Sequence, residues 1–304
     1  MKHLIVIAGP TASGKTSVSI EIAKHFKTSI LSADSRQFYR EISIGTAKPS
    51  TKERDGVNHF FIDSHQLTDE VSSAQYEKEA LDILAKEFIS KDVVVLTGGS
   101  GMFIDALCIG LDSIPSSKEV RTIIQKEFDE EGLSLLLSEL KSKDPEYYSE
   151  VDQQNPMRII RAIEAIRLSG EKYSELRKAK PEPRPFNVHR YVLQHDRKIL
   201  YDRINNRVDQ MIKNGLIEEA RSVQDLNHLS SLNTVGYKEL FDCFENKITL
   251  TEAIELIKRN SRRYAKRQIT WFKRHEDAKS MEFSSIEQTS REIIQHFENQ
   301  IILE

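Results

Sequence analysis

Leu4-Ile5-Val6-Ile7-Ala8-Gly9-Pro10-Thr11-Ala12-Ser13-Gly14-Lys15-Thr16 is an apolar run that breaks into a glycine-bounded turn and ends on a lysine and a hydroxyl. The run, Leu4–Ala8, is too short to span a membrane or to serve as the apolar part of a secretion signal. It has no polar alternation, which predicts a strand buried on both faces. Gly9–Thr16 fits GxxxxGK[ST] between that strand and a predicted helix over Ser17–Phe26, the context the pattern requires. Its glycines let backbone N–H groups close around phosphate oxygens, and the helix N-terminus adds a favourable dipole. Gly9, Pro10, Thr11, Ala12, Ser13, Gly14, Lys15 and Thr16 are therefore the expected diphosphate- or nucleotide-binding residues. Lys15 brings a mobile positive charge, and the Thr16 hydroxyl is the expected protein ligand of Mg²⁺.

Working outward, Ser29–Ala33 reads as a second strand with Asp34 at its carboxyl end, and Tyr76–Phe88 has helical spacing. Val93–Leu96 reads as a third, fully buried strand. Alternation of this kind implies a parallel sheet covered by helices, an α/β fold of the phosphate-loop NTPase-like class. From about Asp112 the strand signal fades, and 118–180 is mostly helical and highly charged. One helix there is sharply marked, with Asn155 as N-cap, Pro156 at its first position and Gly170 just past its end. Pro181-Glu182-Pro183-Arg184-Pro185 reads as a hinge and Tyr191–Leu193 as a strand returning to the sheet. Residues 197–275 are helical again, with Thr249 and Glu252 at capping-box spacing. The expected organisation is a core of 1–115 and 186–304 with a helical insertion at 116–185. The last 30 residues carry no pattern that assigns them.

Composition narrows the class. The chain has 304 residues, 30% charged and 38% hydrophobic, with no apolar run of membrane-spanning length, so a cytoplasmic globular protein is expected. Two distant cysteines, Cys108 and Cys243, form no CxxC pair and no disulfide framework, and both read as small buried residues. Net charge is −3, yet residues 256–275 hold eight Lys or Arg and no Asp or Glu. A local basic face of that kind can bind phosphate on an acidic protein.

A phosphate loop does not by itself name a reaction. Enzymes that transfer a terminal phosphate usually place a second acidic residue at a neighbouring strand end to help hold the metal. Here Val93–Leu96 runs into Thr97-Gly98-Gly99-Ser100-Gly101 without a carboxylate, which weakens an ATPase reading. The acid at a strand end is Asp34. In open parallel sheets ligands bind beyond the carboxyl ends of the strands, so Asp34, Ser100 and the phosphate loop belong on one edge. From position alone Asp34 can accept a proton, hold a metal-bound water or cap a helix, and Ser100 can bond a ligand or shape a turn. His59 reads as a structural histidine after a turn.

Gly9–Thr16, Asp34-Ser35-Arg36-Gln37-Phe38-Tyr39 and Ile44-Gly45-Thr46-Ala47-Lys48-Pro49 resemble consecutive motifs of the tRNA dimethylallyltransferases, also called tRNA isopentenyltransferases. Thr97–Phe103, Arg158–Glu164, Gly236–Glu239 and Ala265–Phe272 continue the series in the family's order, so the resemblance covers roughly residues 4–275. It implies a channel that takes dimethylallyl diphosphate at one end and a flipped-out adenine of the tRNA anticodon stem-loop at the other. The expected reaction moves the dimethylallyl group to N6 of the adenosine 3′ of the anticodon, position 37. By the same resemblance Asp34 and Ser100 are the catalytic residues; Arg207, read from its own position, is a further candidate to reach the diphosphate. The tRNA contacts implied are Asp34, Ser35, Arg36, Gln37, Ser100, Arg121, Met157, Arg158, Ile159, Ile160, Arg161, Gly236, Tyr237, Lys238, Arg262, Lys266, Arg267, Gln268 and Trp271. Mg²⁺ is the expected cofactor, and a monomer of the bacterial type without a zinc finger is expected. Ser100 stands where the family usually has threonine, keeping the hydroxyl, and Met157 stands where it usually has glutamine, losing a polar side chain.

The residues fit that chemistry. An exocyclic amine is a weak nucleophile that a positioned base assists. Diphosphate leaves well only when its growing charge is stabilised. A base in a stacked loop must be extruded to reach a buried site. Lys258, Arg262 and Lys266, and likewise Arg259, Arg263 and Arg267, repeat at four-residue spacing, giving two adjacent basic stripes interleaved with Tyr264 and Trp271. Arg158 and Arg161 are surface charges or phosphate contacts, and Arg207 reaches the diphosphate or merely decorates a surface helix. Three other readings compete: a prenyltransferase acting on free nucleotides, a phosphate-loop kinase, and a non-catalytic RNA-binding protein. Each leaves part of the series without a purpose: the insertion and basic helix, the Gly-Gly-Ser strand end, or Asp34 with the phosphate loop.

Overall fold

The computed structural model describes residues 1–111, 114–178 and 182–303, so Asp112 and Pro181, the first residue of the proline-rich hinge, lie outside the described residues. Six strands form one sheet: β1 (His3–Ala8), β2 (Ile30–Ser32), β3 (His59–Phe60), β4 (Val93–Gly98), β5 (Asn187–Gln194) and β6 (Lys279–Glu282). Their order is β3-β2-β4-β1-β5-β6 and every pairing is parallel. β1 lies at the centre of the sheet, with Leu4 opposite Val94 on one side and Val188 on the other.

Every residue of β1 is buried, and the two faces of the strand feed two different cores. Leu4, Val6 and Ala8 pack with Leu31, Phe38, Tyr76, Val94 and Leu96. Ile5 and Ile7 pack with Val18, Ile22, Val95, Tyr191, Ile293 and Phe297. That is the period-2 geometry of a strand covered on both sides, and full burial of each such side chain contributes roughly 1.5–3 kcal/mol. The predicted elements form with shifted bounds: the first helix is Lys15–His25, the second strand shortens to Ile30–Ser32, and the helical spacing at Tyr76 belongs to Ser73–Ser90. The returning strand runs over eight residues, Asn187–Gln194.

The stretch without an assigned pattern forms a strand and a helix. Strand β6 adds to the sheet edge, and the helix Ile286–Leu303 lays Ile293 and Phe297 into the second core. Cys108 is buried, and burial pushes its thiol up to about 12. Cys243 is only half-buried, a correction to the expectation for it. His59 bonds the carbonyl of Val57 through Nδ1. No helix of the described residues is long and apolar enough to cross a membrane.

The chain divides into two compact units, Met1–Cys108 with Arg184–Glu304, and Ile109–Pro183. The second is helical: Lys118–Glu131, Leu133–Lys143, Pro145–Glu150, Pro156–Ser169 and Tyr173–Leu176. Its best-marked helix starts and stops as its sequence dictates, with the Asn155 side chain accepting from the Arg158 N–H and Gly170 closing in the left-handed conformation. At the centre of this unit Glu164 is wholly buried. It accepts from the Ser117 N–H, from Arg161 and from Nε and Nη2 of Arg121. Burial pushes this carboxyl up, but the hydrogen bonds from Arg121, Ser117 and Arg161 outweigh it and hold the group below the usual range.

A carboxyl lowered in the folded state adds stability above its unfolded pKa, and that increment is lost as pH falls through the folded value. Glu164→Gln should therefore lower stability at pH 7 by roughly 2–3 kcal/mol, since one donor, Arg121, stays half-exposed. The deficit relative to wild type should shrink below pH 4. Urea unfolding at the two pH values reads both numbers, and an equal deficit at both would contradict the assignment.

Candidate active site

Four loops leave the carboxyl ends of β1, β2, β4 and β5 and converge. The first is the phosphate loop. Ala12 (φ 62°) and Gly14 (φ 90°) both lie in the left-handed region. At Gly14 a side chain would be doubly excluded, because a Cβ there would sit 2.9 Å from the Phe283 ring. The Lys15 ammonium folds back onto the Pro10 carbonyl at 2.7 Å. Burial lowers its pKa to about 8, opposed by the Asp34 carboxylate and reinforced by the Arg207 guanidinium.

Asp34 follows β2, half-buried, and accepts from the backbone N–H of Arg36 at 3.4 Å. Ser100 follows β4 and accepts from the Ser35 N–H at 3.1 Å, tying the two strand ends together. Arg36 donates to the Ser231 carbonyl, and buried Gln37 donates to the carbonyls of Thr46 and Ala47. These two side chains brace neighbouring loops.

The helix Arg197–Lys213 follows β5 and carries Arg207 to the phosphate loop. Its guanidinium lies in the site, 3.2 Å from Thr11 Oγ1 and 3.5 Å from the Ala47 carbonyl. The backbone N–H groups of Ser43, Ile44 and Gly45 converge on the carboxylate of Glu219, which also accepts from the buried phenol of Tyr237. Tyr237 thus anchors the loop carrying Gly45–Pro49.

The basic helix Leu250–Phe272 opens with the Thr249–Glu252 capping box. Its Gln268 is buried, accepts from the Thr11 N–H at 2.9 Å and donates to the Gly99 carbonyl at 2.8 Å. Gly99 leaves room for that amide, since a Cβ there would meet Gln268 Nε2 and displace it. Trp271 donates from its indole to Asp105. One turn before Gln268, Tyr264 brings its phenol to the Ser100 hydroxyl, and burial together with the nearby Asp34 pushes it up to about 12. The residue as a whole is 36% exposed, so the covered end is the phenol.

Two cavities meet at Arg207 and Met211. One, of about 570 Å³, is lined by Thr11, Asp34, Ser35, Arg36 and Arg207 together with Tyr264, Arg263 and Arg267. The other, of about 860 Å³, is lined by the phosphate loop, Lys48 and Arg203. Asp34, the loop and Arg207 are thus brought together, with Ser100 tied to the Asp34 loop.

Several expected RNA contacts are placed otherwise. Ile159 and Ile160 are core side chains of the helical unit, and Tyr237, Gln268 and Trp271 are committed to internal hydrogen bonds. Arg161 is spent on Glu164 and the carbonyls of Ile114 and Pro115. Of the two basic stripes, Lys258 pairs with Asp209 and Arg262 donates to Asn205. Arg263 and Arg267, on the other stripe, are exposed and line the first cavity. Lys238 does so too, while Met157 and Arg158 are exposed on the helical unit. Arg263 and Tyr264 belong to the basic face but not to the contacts the resemblance implies; their phase brings them to the site, since 264 and 268 share one face of a helix.

Among the described residues no group of three or more His, Cys, Asp or Glu side chains is arranged to hold a metal ion. A Mg²⁺ ion would fit here held by the Thr16 hydroxyl, phosphate oxygens and waters, the hard oxygen set it prefers.

Fold and site define a phosphate-loop α/β protein whose anion cradle shares a cavity with a carboxylate and a basic rim. The sequence matches the IPP transferase family over residues 37–275. It is 49% identical over 278 residues to tRNA dimethylallyltransferase 1 of Bacteroides thetaiotaomicron, covering 91% of this chain and 90% of that protein. It is 42% identical to tRNA dimethylallyltransferase of Cytophaga hutchinsonii, over 91% of this chain and 92% of that one. The full-length tRNA isopentenylpyrophosphate transferase of Bacillus halodurans superimposes with a TM-score of 0.73 at 34% identity, covering 100% of this chain and 99% of that one. The chain belongs to the IPP transferase family.

Because Lys15 is charged only below about 8 in the free protein, affinity for inorganic diphosphate should fall as pH rises from 7 to 9.5. Lys15→Arg should flatten that fall. Calorimetric titration across the range checks it, and a pH-independent wild-type affinity would contradict it.

Proposed function

We propose that this protein transfers the dimethylallyl group of dimethylallyl diphosphate to N6 of the adenosine at position 37 of tRNA, releasing diphosphate. The observation that carries the reading is the shared cavity, in which Thr11 and Arg207 of the anion cradle stand with Asp34 and an exposed basic rim. In this reading the N6 nitrogen forms its bond to C1 of the allylic donor as the C1–O bond to diphosphate breaks. The N6 proton passes to the Asp34 carboxylate. Lys15, Arg207 and the loop N–H groups receive the charge growing on the leaving group. Ser100 and Tyr264 position the Asp34 loop, and Mg²⁺, when bound, adds charge neutralisation at the diphosphate.

The helical unit and the rim supply backbone contacts, through exposed Arg158, Lys238, Arg263, Lys266 and Arg267, and Arg121 keeps half its surface for such a role. tRNA as acceptor and the reduced cysteines suit a cytoplasmic enzyme, which we place there as a monomer. Free nucleotide is the second acceptor to test, because the first cavity is large enough to take a nucleoside on its own.

Incubation with labelled dimethylallyl diphosphate should label tRNA and leave free AMP unlabelled; label on AMP alone would replace the acceptor, and no transfer would remove the reading. Asp34→Asn should keep tRNA affinity and slow single-turnover transfer by roughly 10²–10⁴. Near wild-type turnover would remove Asp34 from the chemistry. Replacing Arg263 and Arg267 by Ala should weaken tRNA binding and flatten its salt slope by about 0.7–0.9 per lost phosphate contact. Donor affinity and turnover at saturating tRNA should stay as in wild type, the signature of uniform binding, and an unchanged salt slope would show that the rim is only solvated.

A further inference from the structure

The outer side of the phosphate loop is held by three side chains from distant parts of the chain. His195, just past β5, faces the Ser13 carbonyl through Nε2 at 2.8 Å. Arg203, two turns into the following helix, donates from Nε to the Ala12 carbonyl at 2.8 Å. Phe283, just past β6, stacks on the His195 ring at 4.7 Å between centroids and 26° between planes. The Arg203 guanidinium covers Phe283 at 5.5 Å, and the same ring edge occupies the space a side chain at Gly14 would need. Phe283 is itself placed by its backbone N–H, which donates to the Gln194 carbonyl. Burial, with the charges of Arg203 and Lys15, lowers the pKa of His195, so the ring is neutral and the carbonyl it faces selects the Nε2–H tautomer.

Peptide planarity gives this contact its meaning. The C=O and the following N–H of a trans peptide point to opposite sides of the bond. Pinning the Ser13 carbonyl outward therefore turns the Gly14 N–H to the opposite side. Pinning the Ala12 carbonyl likewise fixes the Ser13 N–H, which closes the turn onto the Pro10 carbonyl at 3.3 Å. Without these anchors the Ser13–Gly14 peptide, next to a glycine, can flip and present its oxygen to an anion.

We propose that His195, Phe283 and Arg203 are positioning residues that hold the phosphate loop in its anion-receiving conformation, making the C-terminal strand a determinant of donor affinity. This rests on the reading that the loop receives the donor's diphosphate. His195→Phe keeps the ring stack and removes the donor to Ser13, and Phe283→Leu keeps apolar bulk and removes the stack. Each should raise KM for dimethylallyl diphosphate and Kd for inorganic diphosphate roughly tenfold, the size of one lost buried hydrogen bond. Turnover at saturating donor and KM for tRNA should stay within about twofold, because the contact acts on the cradle and not on Asp34. Phe283→Tyr, which restores the stack, should recover donor affinity. Thermal unfolding of each variant separates loosening of the loop from loss of the fold. Wild-type diphosphate affinity in a folded His195→Phe protein would overturn the clamp, as would equal losses for donor and tRNA. A wild-type protein that binds no diphosphate would overturn the donor reading, and the clamp with it.

Discussion

The side-chain amide of Gln268 is the joint on which the site depends. It touches both the phosphate loop, at the Thr11 N–H, and the glycine-rich end of β4, at the Gly99 carbonyl. A buried amide that satisfies a donor on one strand end and an acceptor on another fixes the spacing of those ends, because losing either bond leaves a desolvated backbone group unpaired. The basic helix is thereby docked against the cradle. Tyr264 and Arg267 follow from that docking, since helical geometry sets their phase relative to Gln268.

Around this joint the charged groups are divided by how firmly they are held. Arg121, Arg161 and Glu164 satisfy one another at the heart of the helical unit, and Glu219 gathers three loop N–H groups and a phenol. These are structural uses of charge. Lys15 is different: its ammonium bonds the Pro10 carbonyl, and burial lowers its pKa although the Asp34 carboxylate opposes the shift. A cation so desolvated regains most when an anion arrives, which favours binding of a diphosphate.

Much of this was legible in the sequence where a residue's type is dictated by backbone geometry. The apolar run Leu4–Ala8, the GxxxxGKT turn, the Asn155-Pro156 start and Gly170 stop, and the Thr249–Glu252 box all form as their local chemistry requires. What stayed hidden depends on tertiary partners. Lys279-Ser280-Met281-Glu282 shows no strand pattern because one of its residues is buried while three face outward at a sheet edge. Arg207 could not be told from a surface arginine, since only the packing of its helix against the phosphate loop covers it. The two basic stripes look equivalent on a helical projection, but on one of them Asp209 pairs with Lys258 and the Asn205 amide accepts from Arg262. Motif residues such as Gln268 and Tyr237, expected as RNA contacts, make internal hydrogen bonds that shape the site.

The strand order carries a consequence for how the molecule comes to exist. β1 emerges first, but its neighbour β5 begins at residue 187, after the helical unit, and the groups that finish the cradle lie later still, at 268 and 283. Pairings so distant in sequence form late, because the loop between them must be closed before any contact rewards it. During synthesis, when chains emerge amino end first, the phosphate loop leaves the ribosome without the side chains that shape it. The anion site is written in the first twenty residues and assembled by the last forty, so a ribosome that stalls before the end releases a chain with the motif and without the site.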